Sequence, residues 1–281
     1  MPDGPAAISP GRTSAFTRFI LALNAVLAGG AALPLWLAPE RTDKLFAFEI
    51  DPPITAAWFG ANFAAGAVLQ LVAARQRLWE NASQAVLGVL VYDIGILASL
   101  MVSLDAFPIE RPAAWVWLLV YCASPLSLLG VCWAQRNTPR APARAATMSR
   151  PARAVLLAIG TAGLALGLAL MLAPAFGESL WPWRLVPQTG SYGRDPTIVR
   201  YAGAWHAGIG ATLLHAGLVA DARRLRAVLA AGIVAAPLTI LAMLRFREQV
   251  DWSHAMAWAF PSLLLAGAAA AAMEIVRARR T

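Results

Sequence analysis

The sequence predicts an all-α, polytopic transmembrane bundle of eight helices, arranged as two tandem four-helix repeats. Three observations predict it. Of 281 residues, 59% are hydrophobic and only 14% charged, against about 25% charged in an ordinary soluble domain. The apolar residues collect in runs of about 20, the length that crosses a hydrocarbon core of about 30 Å. And one motif occurs twice. Leu37-Ala38-Pro39 leads to Leu45-Phe46-Ala47-Phe48-Glu49-Ile50-Asp51-Pro52, and Leu172-Ala173-Pro174 leads at the same spacing to Leu180-Trp181-Pro182-Trp183-Arg184-Leu185-Val186-Pro187. Each copy follows one long apolar run and precedes three more.

The eight runs are 16–38, 54–74, 83–104, 113–134, 152–174, 198–220, 227–244 and 253–274. The first is too long for a signal-peptide core and reads as a retained helix. The seventh is the weakest, because Pro237 interrupts it; a membrane helix tolerates such a proline when neighbours satisfy the freed carbonyl. The eighth, Ala-rich and nearly charge-free, is the clearest. The matching blocks continue beyond the motif: Trp58-Phe59-Gly60-Ala61-Asn62 answers Tyr201-Ala202-Gly203-Ala204-Trp205, and Ala114-Trp115 answers Ala257-Trp258. The second copy carries an insertion near Gln188–Pro196. Four spans per half place both halves in one orientation, a parallel repeat about an axis near the membrane normal. The chain divides into a Pro-, Gly- and Ser-rich, disordered cytoplasmic segment (1–14), a first repeat (15–134), a cytoplasmic linker (135–151) and a second repeat with a short basic tail (152–281).

The net charge of +8 raises the question of nucleic acid, and its distribution answers no. With the N-terminus inside, the inner segments hold 15 basic residues, from Arg12, Arg18, Arg75 and Arg77 to Arg277, Arg279 and Arg280, and the outer segments hold ten of the fifteen acids. That is the positive-inside bias. It predicts a multi-pass protein of the bacterial inner (plasma) membrane with both termini cytoplasmic, and a basic face suited to anionic lipid. Cys122 and Cys132 lie about 15 Å apart along one helix, too far for a disulfide, and read as free buried thiols. Gly163 and Gly167, Ala61 and Ala65, and Ala204 and Gly208 are small-x-x-x-small pairs that allow close helix approach; the second and sixth helices are expected as the central pair.

Several side chains invite functional readings. Phe46, Phe48 and Trp58, with Trp181, Trp183, Tyr192 and Trp205, lie near one membrane face. They form an interfacial aromatic belt, or the loop aromatics Phe46, Phe48, Trp181, Trp183 and Tyr192 form a lid over an outward-facing cavity between the repeats. Glu49 and Arg184 occupy equivalent motif positions and are candidates for an ion pair joining the halves. Asp93, in mid-helix beside Tyr92, is costly in a membrane and reads as functional, or as a structural acid bonded to a neighbouring hydroxyl or amide; Asn24, Asn62, Gln70 and Tyr121 are candidate neighbours. Arg200, at a helix start, suits an anion or snorkels to the interface. The candidate ligand-binding set is Asp93, Asn62, Arg200, Trp205 and His206. His206 and His254 are weak candidates for bis-His haem b ligation; no cofactor or metal is otherwise expected. No nucleotide, hydrolase or zinc-protease motif occurs, so no catalytic residue is assigned and an enzyme is disfavoured.

The blocks Leu180–Pro187 and Val199–Trp205 resemble a W-P-W-x-L-x-P … R-x-x-G-A-W pattern in a family of uncharacterised polytopic membrane proteins of high-GC bacteria. The resemblance covers about 26 residues and implies no activity. Twenty-two arginines against the single Lys44 fit a high-GC genome. Three functional classes follow. The first is a carrier or binding protein for a small amphipathic or anionic solute, held between the repeats by Asp93 and Arg200. The second is an accessory or scaffold subunit with a membrane-protein partner. The third is a haem-binding redox or lipid-modifying protein. Beyond the lipid bilayer, the partners expected are a small-molecule ligand or another membrane protein.

Overall fold

The computed structural model describes residues 11–139, 148–185 and 196–280. They form ten helices: α1 (Ala15–Leu37), α2 (Thr42–Leu45), α3 (Pro53–Ala74), α4 (Trp79–Val102), α5 (Pro112–Ala134), α6 (Arg150–Leu172), α7 (Pro174–Ser179), α8 (Thr197–Val219), α9 (Arg226–Arg245) and α10 (Ala255–Arg280). The fold is all-α, and among the described residues the one extended pairing is an isolated bridge between Arg12 and Leu78.

Seven of these helices, α1, α3, α4, α5, α6, α9 and α10, are long and apolar enough to cross a membrane. Their outward side chains suit that solvent: Val26, Leu33, Leu119, Leu126, Leu172 and Met273 are all exposed, a surface that water would not tolerate in such number. The uncertainty expected at Pro237 falls elsewhere. α9 runs unbroken through Pro237 and is among the seven. The helix below the apolar threshold is α8, although it has 23 residues. The reason is burial. α8 carries Arg200, Tyr201, Trp205, His206 and four glycines, and most of its residues face protein rather than lipid. The described cysteines are free as expected, but both are exposed on α5 rather than buried.

Successive long helices alternate in direction, so the loops collect at two ends. At the basic end, Ser14 and Ser149 cap α1 and α6, each Oγ accepting an N–H from the third residue on, Thr17 and Ala152. The residue before each cap is tied to the end of another helix: Thr13 N–H donates to Arg77 O at 2.9 Å, and Met148 N–H donates to Ala220 O at 2.9 Å. Residues 11–14, expected to be disordered, are therefore paired; the first ten residues lie outside the described residues, as do 140–147 of the linker. At the loop end, α1 and α6 stop at Ala38 (φ −135°, ψ 55°) and Ala173 (φ −132°, ψ 67°), each followed by a proline that opens the next helix.

α3 and α8 are the most buried helices, as expected of a central pair, but they do not pack side by side. α1 packs on α3 and α6 on α8; α4 then packs on α8, and α9 on α3. Each central helix is thus held by its own half's first helix and the other half's third. Small residues set the spacing. A Cβ on Gly167 would stand 2.4 Å from Ala207 N, and one on Gly88 would stand 2.8 Å from Gly208 O, so neither position accepts a side chain without moving backbone. The close approach on α6 centres on Gly167 and Gly160 rather than on Gly163, where the nearest atom is 3.4 Å away. Two ion pairs bridge the halves, Arg224–Glu80 at 3.1 Å and Arg245–Glu40 at 3.0 Å.

Candidate functional site

Both motif loops turn their aromatic rings inward. In the first, Phe46, Ala47, Phe48 and Ile50 are buried while Glu49 is half-buried; in the second, Trp181, Pro182, Trp183 and Leu185 are buried while Arg184 is exposed. The two knots have nearly the same geometry. Phe46 and Phe48 meet edge-on at 5.2 Å, and Trp181 and Trp183 at 5.0 Å. Phe46 packs on Trp117 of α5 at 5.2 Å, and Trp181 on Phe260 of α10 at 5.3 Å. Each knot also reaches across: Phe48 touches Tyr201 of α8 at 5.5 Å, and Trp183 touches Trp58 of α3 at 6.5 Å. Trp183 Nε1–H donates to Thr55 Oγ1 at 3.0 Å.

This corrects two expectations. Phe46, Phe48, Trp58, Trp181, Trp183 and Trp205 are core, not an interfacial belt, because both loops fold inward as a block and pack their rings against those of the long helices. Trp115 and Trp258 take the belt role: both are exposed, with Nε1–H donating to Ile109 O at 2.8 Å and Trp252 O at 3.1 Å. Glu49 is half-buried and Arg184 is exposed, and among the described residues the two are not paired with each other. Of the proposed lid, Phe46 lines the cavity described next, while Phe48, Trp181 and Trp183 are packed behind it; Tyr192 lies outside the described residues.

A cavity of about 1100 Å³ runs between the halves, lined by all eight long helices. Its wall is mostly aliphatic. One group of polar side chains is hydrogen-bonded together where α1, α4 and α5 converge, while Asn62, Gln70, His206, Thr212 and Thr239 are spread over α3, α8 and α9. Asp93 on α4 is 4% exposed, and its Oδ2 accepts a 2.5 Å hydrogen bond from Ser124 Oγ on α5. Asn24 Nδ2 on α1 donates to the same Ser124 Oγ at 3.2 Å. One turn nearer the loop end, the Tyr92 and Tyr121 hydroxyls are 2.5 Å apart. Trp205 lies on Tyr92, ring centroids 4.0 Å apart.

The positions that the spacing of the two sequence motifs matches to these are apolar, and four of them also line the cavity. Asn24 is answered by Ile159, Tyr92 by Ala235, Tyr121 by Leu264 and Ser124 by Gly267, all of them lining residues; Asp93 is answered by Ala236. Among the lining residues Asp93 is the sole carboxylate, and neither Lys nor Arg lines the wall. Trp58, Trp117 and Gln70 also contribute to the wall, while their indole N–H groups and Gln70 Oε1 are buried within it without a hydrogen-bond partner among the described residues. An unpaired buried polar group is costly, and a bound molecule with complementary groups would relieve that cost.

Of the five candidate ligand residues, the cavity brings together Asp93, Asn62, Trp205 and His206 and leaves out Arg200. Arg200 turns instead toward α4, with Nη1 3.5 Å from Ser103 Oγ. Asn62 Nδ2 donates back to Trp58 O at 2.9 Å. His206 Nδ1–H donates to Ala202 O at 2.9 Å, and its ring stacks on Trp58 at 5.4 Å. His254 is half-buried, with Nε2 3.1 Å from Ser179 O, and does not line the cavity. The two histidines therefore do not face one space, as a bis-His axial pair requires. Of the neighbours expected for Asp93, Asn24 is one hydrogen bond removed, and Asn62, Gln70 and Tyr121 line the cavity without bonding to it. The direct partner, Ser124, is missed by sequence reading; its signal is a hydroxyl beside Pro125 in an otherwise apolar run.

At the loop end, Asp251 precedes α10. Its Oδ1 accepts from Ser253 Oγ at 2.6 Å and Ser253 N at 3.0 Å, and these bonds hold the carboxyl below its ordinary pKa, the hydroxyl contributing most.

Comparison of the chain with protein-family models, with curated proteins and with solved structures finds no match.

Proposed function

We propose that this chain is a binding or carrier protein of the bacterial inner membrane that holds a small amphipathic molecule in the cavity between two duplicated halves. In this reading it crosses the membrane eight times, α8 being the span hidden from lipid, and both ends of the chain are cytoplasmic. The repeated geometry supports the duplication: paired serine caps, paired backbone ties before them, matching helix ends at Ala38 and Ala173, and matching aromatic knots.

The single observation that carries the functional reading is the two-faced cavity. One wall supplies Asp93, Ser124, Asn24, Tyr92 and Tyr121; the opposite wall supplies aliphatic groups at the equivalent positions. Cavities of about 300–1,000 Å³ with few convergent polar groups are the usual form of small-molecule sites. A lone carboxylate with no cation on the wall favours a neutral or cationic head group, such as a long-chain alcohol or amine. It disfavours the anionic solute that Arg200 suggested. A scaffold role draws less support, because a bridging subunit has no use for a large internal cavity with a buried carboxylate in its wall.

The purified protein is expected to bind a long-chain amine saturably, with Asp93→Asn weakening the amine by about tenfold, the loss of one charge-assisted hydrogen bond, and the matching alcohol much less. Equal binding of amine and alcohol to wild type and variant alike, or no saturable binding of either, would overturn the reading.

A further inference from the structure

The basic end carries a second site that the cavity reading does not use. Arg12, Arg18, Arg75 and Arg77 together line a surface cavity of about 310 Å³. They come from three segments: the stretch before α1, the first turn of α1, and the turn between α3 and α4. The backbone clamps these segments together. Trp79 N–H donates to Gly11 O at 3.2 Å, Thr13 N–H donates to Arg77 O at 2.9 Å, and Gly11 N–H donates to Pro139 O at 3.0 Å.

Four cations are thereby held around one space with no local neutralisation. Among the described residues, none of the four guanidinium groups is bonded to a carboxylate or to another side chain; Glu80, nearest in sequence, pairs with Arg224. The N-terminus of α1 adds partial positive charge of its own, and no acidic residue occupies its first turn. Repulsion of this kind is reduced by an anion and by little else, since the backbone ties prevent the arginines from spreading apart.

The fold does not require the cluster. The corresponding positions of the second half are Thr147, Arg153, Leu218 and Ala220. Arg153 is spoken for, with Nε–H donating to Gly217 O at 3.1 Å. At the described members of that set, Arg153, Leu218 and Ala220, one cation stands where the first half has three. A topological signal needs basic residues on the correct side of the membrane, not four guanidinium groups aimed at one cavity.

We propose that this four-arginine cavity binds a phosphate-class dianion. Guanidinium forks match phosphate oxygens two at a time, and a phosphomonoester presents acceptors on several sides. The chemistry is shared by two sources, a soluble phosphomonoester and a phosphomonoester lipid head group at the membrane surface.

The test uses the full chain in neutral detergent and in nanodiscs. Inorganic phosphate and glycerol phosphate are titrated in detergent; nanodiscs of phosphatidylcholine are compared with discs containing phosphatidic acid, bound lipid being read by native mass spectrometry. Wild type is expected to bind one of these phosphate probes about tenfold or more tightly than Arg18→Gln, and the Arg12→Gln/Arg77→Gln variant to lose about a further tenfold, with binding weakened by salt. Binding of the soluble probes identifies a soluble ligand; retention of phosphatidic acid alone identifies the lipid head group; either supports the site. Arg18, whose guanidinium bonds to no other group among the described residues, is expected to accept Gln without loss of the fold, which keeps the comparison valid if the double variant misfolds. Wild-type affinity in Arg18→Gln, or binding of neither class of probe by wild type, overturns the proposal.

Discussion

Phe46 and Phe48 fold over Trp117 in the first half much as Trp181 and Trp183 fold over Phe260 in the second, with ring separations that agree to a few tenths of an ångström. About two turns deeper the halves part company. The first places Asp93, Ser124 and Asn24 in a hydrogen-bonded chain across three helices; the second places Ala236, Gly267 and Ile159 at the corresponding positions. The comparison separates two kinds of constraint. The knots close the bundle by packing, and a membrane interior rewards good packing in both halves equally. The cavity wall is free to differ, because a buried carboxylate contributes nothing to closure and costs energy unless something uses it.

The α6–α8 contact offers the strongest way to break the comparison. Gly167 corresponds to Ala32 in α1, so the first half already carries a methyl group where the second has none. Gly167→Leu forces α6 away from Ala207 and is expected to cost at least about 1–3 kcal/mol, with a large drop in the detergent melting temperature. Ala32→Gly is expected to be milder, near the ordinary glycine penalty of about 1 kcal/mol. Equal effects would mean that the two helix pairs are packed alike after all.

Next is the bridge between the halves at the basic end. Arg224 and Glu80 are both largely buried, and Glu80→Gln is expected to destabilise by about 1.5–3 kcal/mol, measured by thermal melting. The more exposed Arg245–Glu40 pair is expected to contribute about 0–1 kcal/mol. Below these comes Trp183→Phe, which keeps the ring against Trp58 and removes the hydrogen bond to Thr55; about 1 kcal/mol is expected. Phe48, its counterpart, has no such polar bond to lose, so Phe48→Leu reports packing alone.

The smallest effect is electrostatic. Asp251 has its folded-state pKa depressed by Ser253, so its contribution is complete above about pH 4, the unfolded value, and is lost as pH falls through the lower folded value. Asp251→Asn is expected to flatten the acid limb of the stability profile slightly and to leave neutral pH almost unchanged.

The sequence made the all-α class and the apolar helices legible because lipid imposes one length and one polarity on each span. It misplaced the doubtful helix for a physical reason. Pro237 breaks one hydrogen bond without shortening the helix, whereas α8 trades hydropathy for the glycines, rings and imidazole of a protein-facing position. Asp93 stands out as a charge among apolar residues, and Asn62 of α3 and Trp205 and His206 of α8 line the same cavity because those two helices are the central ones. Arg200 was grouped with them wrongly, since a residue at a helix start is set by the local turn and here turns toward α4. The contacts of Asp93 were illegible: Ser124 and Asn24 lie on other helices, and serine is too common in membrane spans to mark itself. The inward packing of the aromatics is not legible, because aromatic residues near a span's end suit either the lipid interface or the core.

The central claim is that the space between the halves takes an amphiphile with its head at Asp93, and tryptophan fluorescence reads it directly, since Trp58, Trp117 and Trp205 all line that space. A terminally brominated long-chain amine should quench wild type saturably, and the matching carboxylate should not. Gly66→Leu, which fills the cavity where a Cβ meets nothing nearer than 3.7 Å, should abolish the saturable phase without unfolding the protein. Quenching that rises linearly with the amine in wild type, or that persists unchanged in Gly66→Leu, would contradict the account.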